Sequence, residues 1–320
     1  MKLHPMVRAA IALSFLATPG LAQAPRAAYD HFNRGSSLYN KGDFEGAIAD
    51  FTKAIEISSR LDNRGRQDDW KNKTGFGGAA SNFDSVKVLD PLAALAYANR
   101  GLARYRLGDY DGAIADCNRA IAINPRLSDG YNTRGIARFA QKDYDVALVD
   151  LDRAIAINPR DPEPYNNRGN VYAEKNDFDR AIADFDRALA LNPRLTVVYY
   201  NRGFARRRKD DYDGALKDFE KALAIDPRFA SGYYGRGVVA CDKNELDRGV
   251  NEFNRSIELD PRFAPAYANR GLALLRQGKD AEAELDFERA LALDPALKTE
   301  IEQCVERVKK WRQTRGAGKN

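Results

Sequence analysis

Pro91, Pro125, Pro159, Pro193, Pro227, Pro261 and Pro295 stand 34 residues apart throughout. Arg-Gly pairs keep the same step from Arg100-Gly101 to Arg270-Gly271. An earlier copy begins at Pro25, where Asn33-Arg34-Gly35 holds the offset that Asn99-Arg100-Gly101 has from Pro91. A fixed period of this size makes each copy one supersecondary unit, and a unit so short cannot bury its apolar face alone. The copies, predicted at 25–58, 91–124, 125–158, 159–192, 193–226, 227–260 and 261–294, must therefore stack.

Each copy reads as helix-turn-helix. Residues 94–107 and 110–123 carry small and apolar residues at helical spacing, with a turn around Gly108. Asp109 is placed to cap the second helix by accepting from an otherwise unpaired amide. Pro125, lacking an N–H, ends that helix. Gly101, Ala113 and Ala120 recur at the same offsets in other copies, for example as Gly203, Ala215 and Ala222, so helix axes can approach closely. Tyr97, Tyr131, Tyr165, Tyr199, Tyr233 and Tyr267 fill the space beside them.

Aromatic, Gly, Ala, aromatic, Ala and Pro, as in Tyr165, Gly169, Ala181, Phe185, Ala188 and Pro193, resemble the tetratricopeptide repeat (TPR) family at its 34-residue period. The resemblance covers about residues 25–296 apart from one insertion. It implies an all-α fold, a right-handed superhelical solenoid of stacked antiparallel hairpins whose first helices line a concave face. One departure stands out: the residue before the Gly, usually Leu in the family, is Arg in all seven copies.

That arginine lies on the inward face. Arg100 follows Tyr97 by three residues, and Asp116 sits between Ala113 and Ala120 at spacings of three and four. In an antiparallel hairpin turning near Gly108 the two lie level and can pair. The couple recurs as Arg34 with Asp50, Arg134 with Asp150, Arg168 with Asp184, Arg202 with Asp218, Arg236 with Glu252 and Arg270 with Asp286. A structural ladder of ion pairs is the expectation; the spacing leaves open whether the acid comes from the same repeat or a neighbour.

The family's geometry turns positions equivalent to Ala98, Asn99, Leu102, Tyr105 and Arg106 toward the groove. The candidate groove residues are therefore Asn33, Asn99, Tyr105, Asn166, Asn167, Asn170, Tyr200, Asn201, Phe204, Arg207, Arg208 and Asn269. Amides that donate and accept suit an extended peptide backbone, and they equally suit bridges between adjacent helices. Aromatic area with positive charge around Tyr200 to Arg208 suits an acidic or extended partner segment. TPR co-chaperones hold a carboxylate tail with a clamp that includes a lysine; Asn166 occupies that slot here, so such a tail is not expected.

Residues 1–24 read as a secretory signal: Lys2 and Arg8 lead, Ala9 to Ala17 form an apolar run, and small residues at Ala22 and Ala24 offer cleavage after either. The run is too short to cross a bilayer, which takes about 20 residues. A periplasmic or secreted location is expected, with no membrane span after cleavage. The chain has 51 basic and 46 acidic residues, a formal net charge of +5, and part of that excess lies in the leader and in residues 297–320. The near-neutral repeat body gives no footprint for nucleic acid. Cys117, Cys241 and Cys304 lack metal-type spacing, and Cys117 takes a slot filled elsewhere by Phe or Leu, so a core role is expected.

Residues 59–90, rich in Gly, Asn and Asp, interrupt the period; an irregular insertion is expected, with Trp70, Phe76 and Phe83 folding it back and Gly75 to Gly78 mobile. Residues 295–320 form a capping helix and tail, whose stripe of Leu297, Ile301, Cys304, Val305, Val308 and Trp311 is expected to cover the end of the last hairpin.

No catalytic, cofactor or metal residue is assigned, since no triad, ligand cluster or phosphate-binding loop appears. His31 is the one histidine beyond the leader and stands in the tyrosine slot, where packing is expected. The expected function is a non-enzymatic exported scaffold that binds a protein or peptide in its groove and assists a cell-envelope complex. The alternative is a self-associating structural solenoid, with a sugar-binding or enzymatic module ranked below both.

Overall fold

The computed structural model describes residues 26–74 and 91–317, with side chains for 26–59 and 91–314. The leader and the Gly75 to Gly78 stretch lie outside the described residues, as do the side chains of Trp70, Phe76 and Phe83. All described elements are helical, and the chain divides into two compact units that meet in sequence between Lys175 and Asn176.

The first unit holds α1 (Arg26–Asn40), α2 (Phe44–Thr74), α3 (Pro91–Arg106), α4 (Tyr110–Ile123), α5 (Ser128–Ala140), α6 (Tyr144–Ile157) and α7 (Pro162–Glu174). α1 packs on α2, α3 on α4 and α5 on α6 as hairpins, and each second helix packs on the first helix of the next copy. Phe32, Phe51, Leu92, Ala96 and Ile136 form its core, with Ala147, Leu151 and Val171 farther along.

The second unit holds α8 (Phe178–Leu191), α9 (Thr196–Arg208), α10 (Tyr212–Ile225), α11 (Ala230–Asp242), α12 (Leu246–Leu259), α13 (Ala264–Gln277), α14 (Asp280–Leu293) and α15 (Lys298–Ala317). Its second helices bury Phe185, Phe219, Phe253 and Phe287 at one repeat position. Cys117 occupies that position in α4 and is fully buried, the core role expected of it. The facing glycine makes room: a Cβ on Gly203 would lie 2.7 Å from the Phe219 ring, too close for any real contact.

Turn chemistry repeats as regularly as the core. The Oδ1 atoms of Asp43, Asp109 and Asp211 accept from the amides of Gly46, Gly112 and Gly214 at 2.9 Å, capping α2, α4 and α10. At each turn one residue adopts a positive φ: Gly42, Gly108, Lys142, Asn176, Asp210, Asn244 and Gly278. At the far end of the second helices the residue before proline accepts from the amide two positions on, as Asn124 does from Arg126 (3.0 Å) and Asp260 from Arg262 (3.0 Å).

Two expectations change. α2 continues to Thr74, so the first half of the insertion is helix rather than irregular chain. Where the proline ruler would end α2 the sequence has Ser59, whose N–H leaves the helical hydrogen-bond pattern intact. The stripe on α15 also divides. Ile301 is buried, and Leu297, Val305 and Val308 pack on the α13–α14 core. Trp311 stays 37% exposed.

A polar ladder and a candidate partner-binding groove

Six of the seven arginine–acid couples fall within one unit; Arg168 and Asp184 belong to different units. In five of the six, Nε and Nη2 of the arginine donate in parallel to the two carboxylate oxygens of the acid sixteen residues on. The distances are 2.8 and 2.7 Å for Arg100 on Asp116, and 2.9 and 2.6 Å for Arg134 on Asp150. Arg202 holds Asp218 and Arg270 holds Asp286 the same way. Arg34 also forks onto Asp50, but its side chain is 60% exposed. Glu252, one methylene longer, accepts only Nη2 of Arg236 and leaves the buried Nε without a partner.

The third guanidinium nitrogen answers whether the pairs lie within or between repeats. Nη1 crosses to the preceding copy: Arg134 to Asn118 (2.5 Å), Arg168 to Asp152 (2.6 Å), Arg202 to Asp186 (2.5 Å) and Arg270 to Asn254 (2.6 Å). Arg100 reaches Thr52 at 2.9 Å, the same position once the insertion is discounted. Arg100, Arg134, Arg202 and Arg270 thus tie their own hairpins together and to the preceding one. The guanidinium also lies over the tyrosine three residues earlier, Arg100 on Tyr97 at 5.3 Å and Arg202 on Tyr199 at 5.4 Å. In the first copy His31 replaces that tyrosine, and its Nδ1 lies 2.9 Å from Asp50 Oδ1, a polar contact rather than apolar packing.

Burial and hydrogen bonding pull the ladder carboxyls in opposite directions. Desolvation pushes the Asp218 carboxyl above its ordinary value although Arg202 donates to it. At the more open first copy, hydrogen bonds from Arg34 hold Asp50 below its ordinary value.

Of the twelve expected groove residues, Asn99, Asn166, Asn167, Asn170, Tyr200, Asn201 and Phe204 are buried. Asn167 Nδ2 donates to Asn132 Oδ1 at 3.0 Å, and Asn269 Nδ2 to Tyr234 Oη at 3.1 Å, so amides do bridge successive first helices. Tyr200 and Phe204 meet edge to face at 4.8 Å and join Phe219 in an aromatic core. Asn33 and Arg208 are exposed, while Tyr105, Arg207 and Asn269 are partly so. Arg207 is ion-paired with Asp242.

A groove of about 520 Å³ opens in the second unit between α9, α11, α13 and α15. Val238, Leu272, Ala273 and Val308 give it an apolar lining, and Arg207, Asp242, Asn269, Arg276, Arg307 and Trp311 its polar and aromatic groups. Arg207 and Asn269 belong to the expected set; the α15 residues and the rest of the α13 lining do not. Their signal in the sequence is the aromatic end of the α15 stripe, read there as a cap. Arg276 Nη1 donates to the Cys241 carbonyl and Nη2 to Asn244 Oδ1, both at 2.9 Å, and its guanidinium lies 5.9 Å from the Trp311 ring.

Stacked helix hairpins with a periodic small-residue core define a helical repeat scaffold. Tetratricopeptide repeat models match residues 28–60, 94–127, 133–198, 169–232 and 264–297, together more than half of the chain. The protein belongs to the tetratricopeptide repeat family. A tetratricopeptide repeat protein from Parabacteroides merdae is similar in structure, with a TM-score of 0.63 at 18% identity over 89% of this chain and 100% of that one. The Cut9–Hcn1 structure of the APC/C gives 0.60 at 14% identity, over 87% and 55%. PilW, a type IV pilus biogenesis factor, gives 0.57 at 20% identity, over 66% and 97%. No curated protein sequence matches at a significant level.

Proposed function

We propose that this chain is an exported TPR scaffold that binds a protein or extended peptide on the face formed by its first helices and serves the assembly or regulation of a cell-envelope complex. The observation that carries the reading is the groove itself. Apart from Arg236 Nε, the ladder pairs within each unit are satisfied internally, whereas the walls of α11, α13 and α15 present both apolar and charged groups to solvent. TPR proteins are in general interaction scaffolds without catalytic chemistry, which is the role such a surface suits. The three-part leader at residues 1–24 supports export. No described helix is long and apolar enough to cross a membrane. PilW, itself a pilus biogenesis factor, shares the fold.

The test is affinity capture from native envelope fractions with the full chain as bait, together with fractionation of the tagged protein. A reproducible partner in a periplasmic or secreted fraction is the expected result. Retention in the cytoplasm, or no partner from any fraction, refutes the reading.

A further inference from the structure

The ladder guanidiniums of Arg100, Arg134, Arg202 and Arg270 are each neutralised by the carboxylate sixteen residues on. Two arginines that line the groove are placed differently. Arg276 donates only to a carbonyl and an asparagine, and Arg307 only to Cys304 Sγ at 2.9 Å. Among the described residues neither has a carboxylate partner, and the one acid in the lining, Asp242, is held by Arg207. The groove therefore carries an uncompensated double positive charge beside an apolar floor. Asn269 contributes its amide nitrogen to Tyr234 and to the Pro265 carbonyl, which leaves Oδ1 as an acceptor.

On the scaffold reading, we propose that this groove is a docking site for an acidic, extended segment of a partner protein. A glutamate or aspartate carboxylate of the partner sits between Arg276 and Arg307, where charge-assisted, bidentate hydrogen bonds are strongest. A neighbouring apolar side chain lies against Leu272, Val308 and the exposed ring of Trp311. Asn269 Oδ1 accepts from a backbone N–H of the segment. α15 is thus one wall of a recognition site as well as a cover for the last hairpin.

A short fluorescein-labelled peptide of alternating glutamate and leucine, blocked at both ends, is the probe, titrated against the full chain at physiological ionic strength. Fluorescence anisotropy should report saturable binding. Trp311 emission, isolated in a Trp70→Phe background, should change with it. Arg307→Gln removes an exposed side chain bonded only to Cys304, so the fold should keep its melting temperature while affinity falls about tenfold, the scale of one lost charge-assisted contact. Arg276→Gln should weaken binding at least as much. Lys298→Gln with Lys309→Gln, which removes twice that charge from α15 outside the groove, should leave affinity unchanged.

Equal weakening by the lysine variant, equal binding of the glutamine version of the peptide, or no saturable binding by the parent chain overturns the proposal. Capture of an envelope partner that is indifferent to Arg276→Gln and Arg307→Gln also overturns it, and leaves the broader scaffold reading standing.

Discussion

Arg100 grips Asp116 through two parallel hydrogen bonds of 2.8 and 2.7 Å, and both side chains are shut away from water, at 8% and 0% exposure. The carboxylate is also ion-paired with Arg104 at 2.9 Å, so three charged groups meet inside a hairpin only two helices thick. Such a pair adds little net stability relative to an apolar replacement, but breaking it strands a buried charge.

Asp116→Ala is accordingly expected to destabilise the chain by about 3 to 5 kcal/mol, because Arg100 keeps its charge and loses its partner. Arg34→Ala, which removes the exposed counterpart in the first copy, should destabilise less, because the Arg34 side chain is 60% exposed and His31 still contacts Asp50. Chemical denaturation of both variants checks the contrast, and similar losses would show that exposure does not govern the ladder.

Glu252→Asp is expected to stabilise. The shorter acid can accept Nε as well as Nη2 of Arg236, as it does in the other copies, and relieve a buried unsatisfied donor. Satisfying such a group is worth about 1 kcal/mol. A rise in the unfolding midpoint checks it.

Lys142 holds a φ of 68° at the turn where other copies have Gly42, Gly108 and Gly278. Its side chain is exposed and its backbone amide bonds to the Phe139 carbonyl, which glycine would preserve. Lys142→Gly should therefore stabilise by about 1 kcal/mol through relief of the left-handed conformation. A lower melting temperature would count against it.

Thiol labelling should divide the cysteines. Burial pushes the Cys241 thiol up to about 11 and raises Cys117 further, so neither is thiolate at neutral pH. Cys117 should resist alkylation in the folded chain. Cys241 should label slowly at neutral pH and faster as pH rises toward 11. Because its folded value is raised, the contribution of Cys241 to stability is fully present below the ordinary thiol range and is lost as pH climbs through about 11. Mass spectrometry of single-cysteine variants against pH follows both.

A period of 34, with proline, glycine and alanine at constant offsets, leaves a chain only one way to bury its apolar faces, and so the hairpins, their turns, their caps and the pairing of arginine with acid were legible from spacing alone, though not which repeat supplies the acid. The end of α2 was less so, because it turned on Ser59 lacking the constraint proline imposes. What helical spacing cannot say is how deep a side chain lies once neighbouring copies close over it. Asn167 and Tyr200 share a face with Arg207, yet stacking buries the first two and leaves the third at the groove. The third bond of Arg100, Arg134, Arg168, Arg202 and Arg270, and the placing of Arg276 and Arg307 in the lining of one groove, join residues whose separation along the chain carries no periodic signal or crosses a repeat boundary. Those relations depend on the angle at which one hairpin packs on the next, a property of the assembled interface.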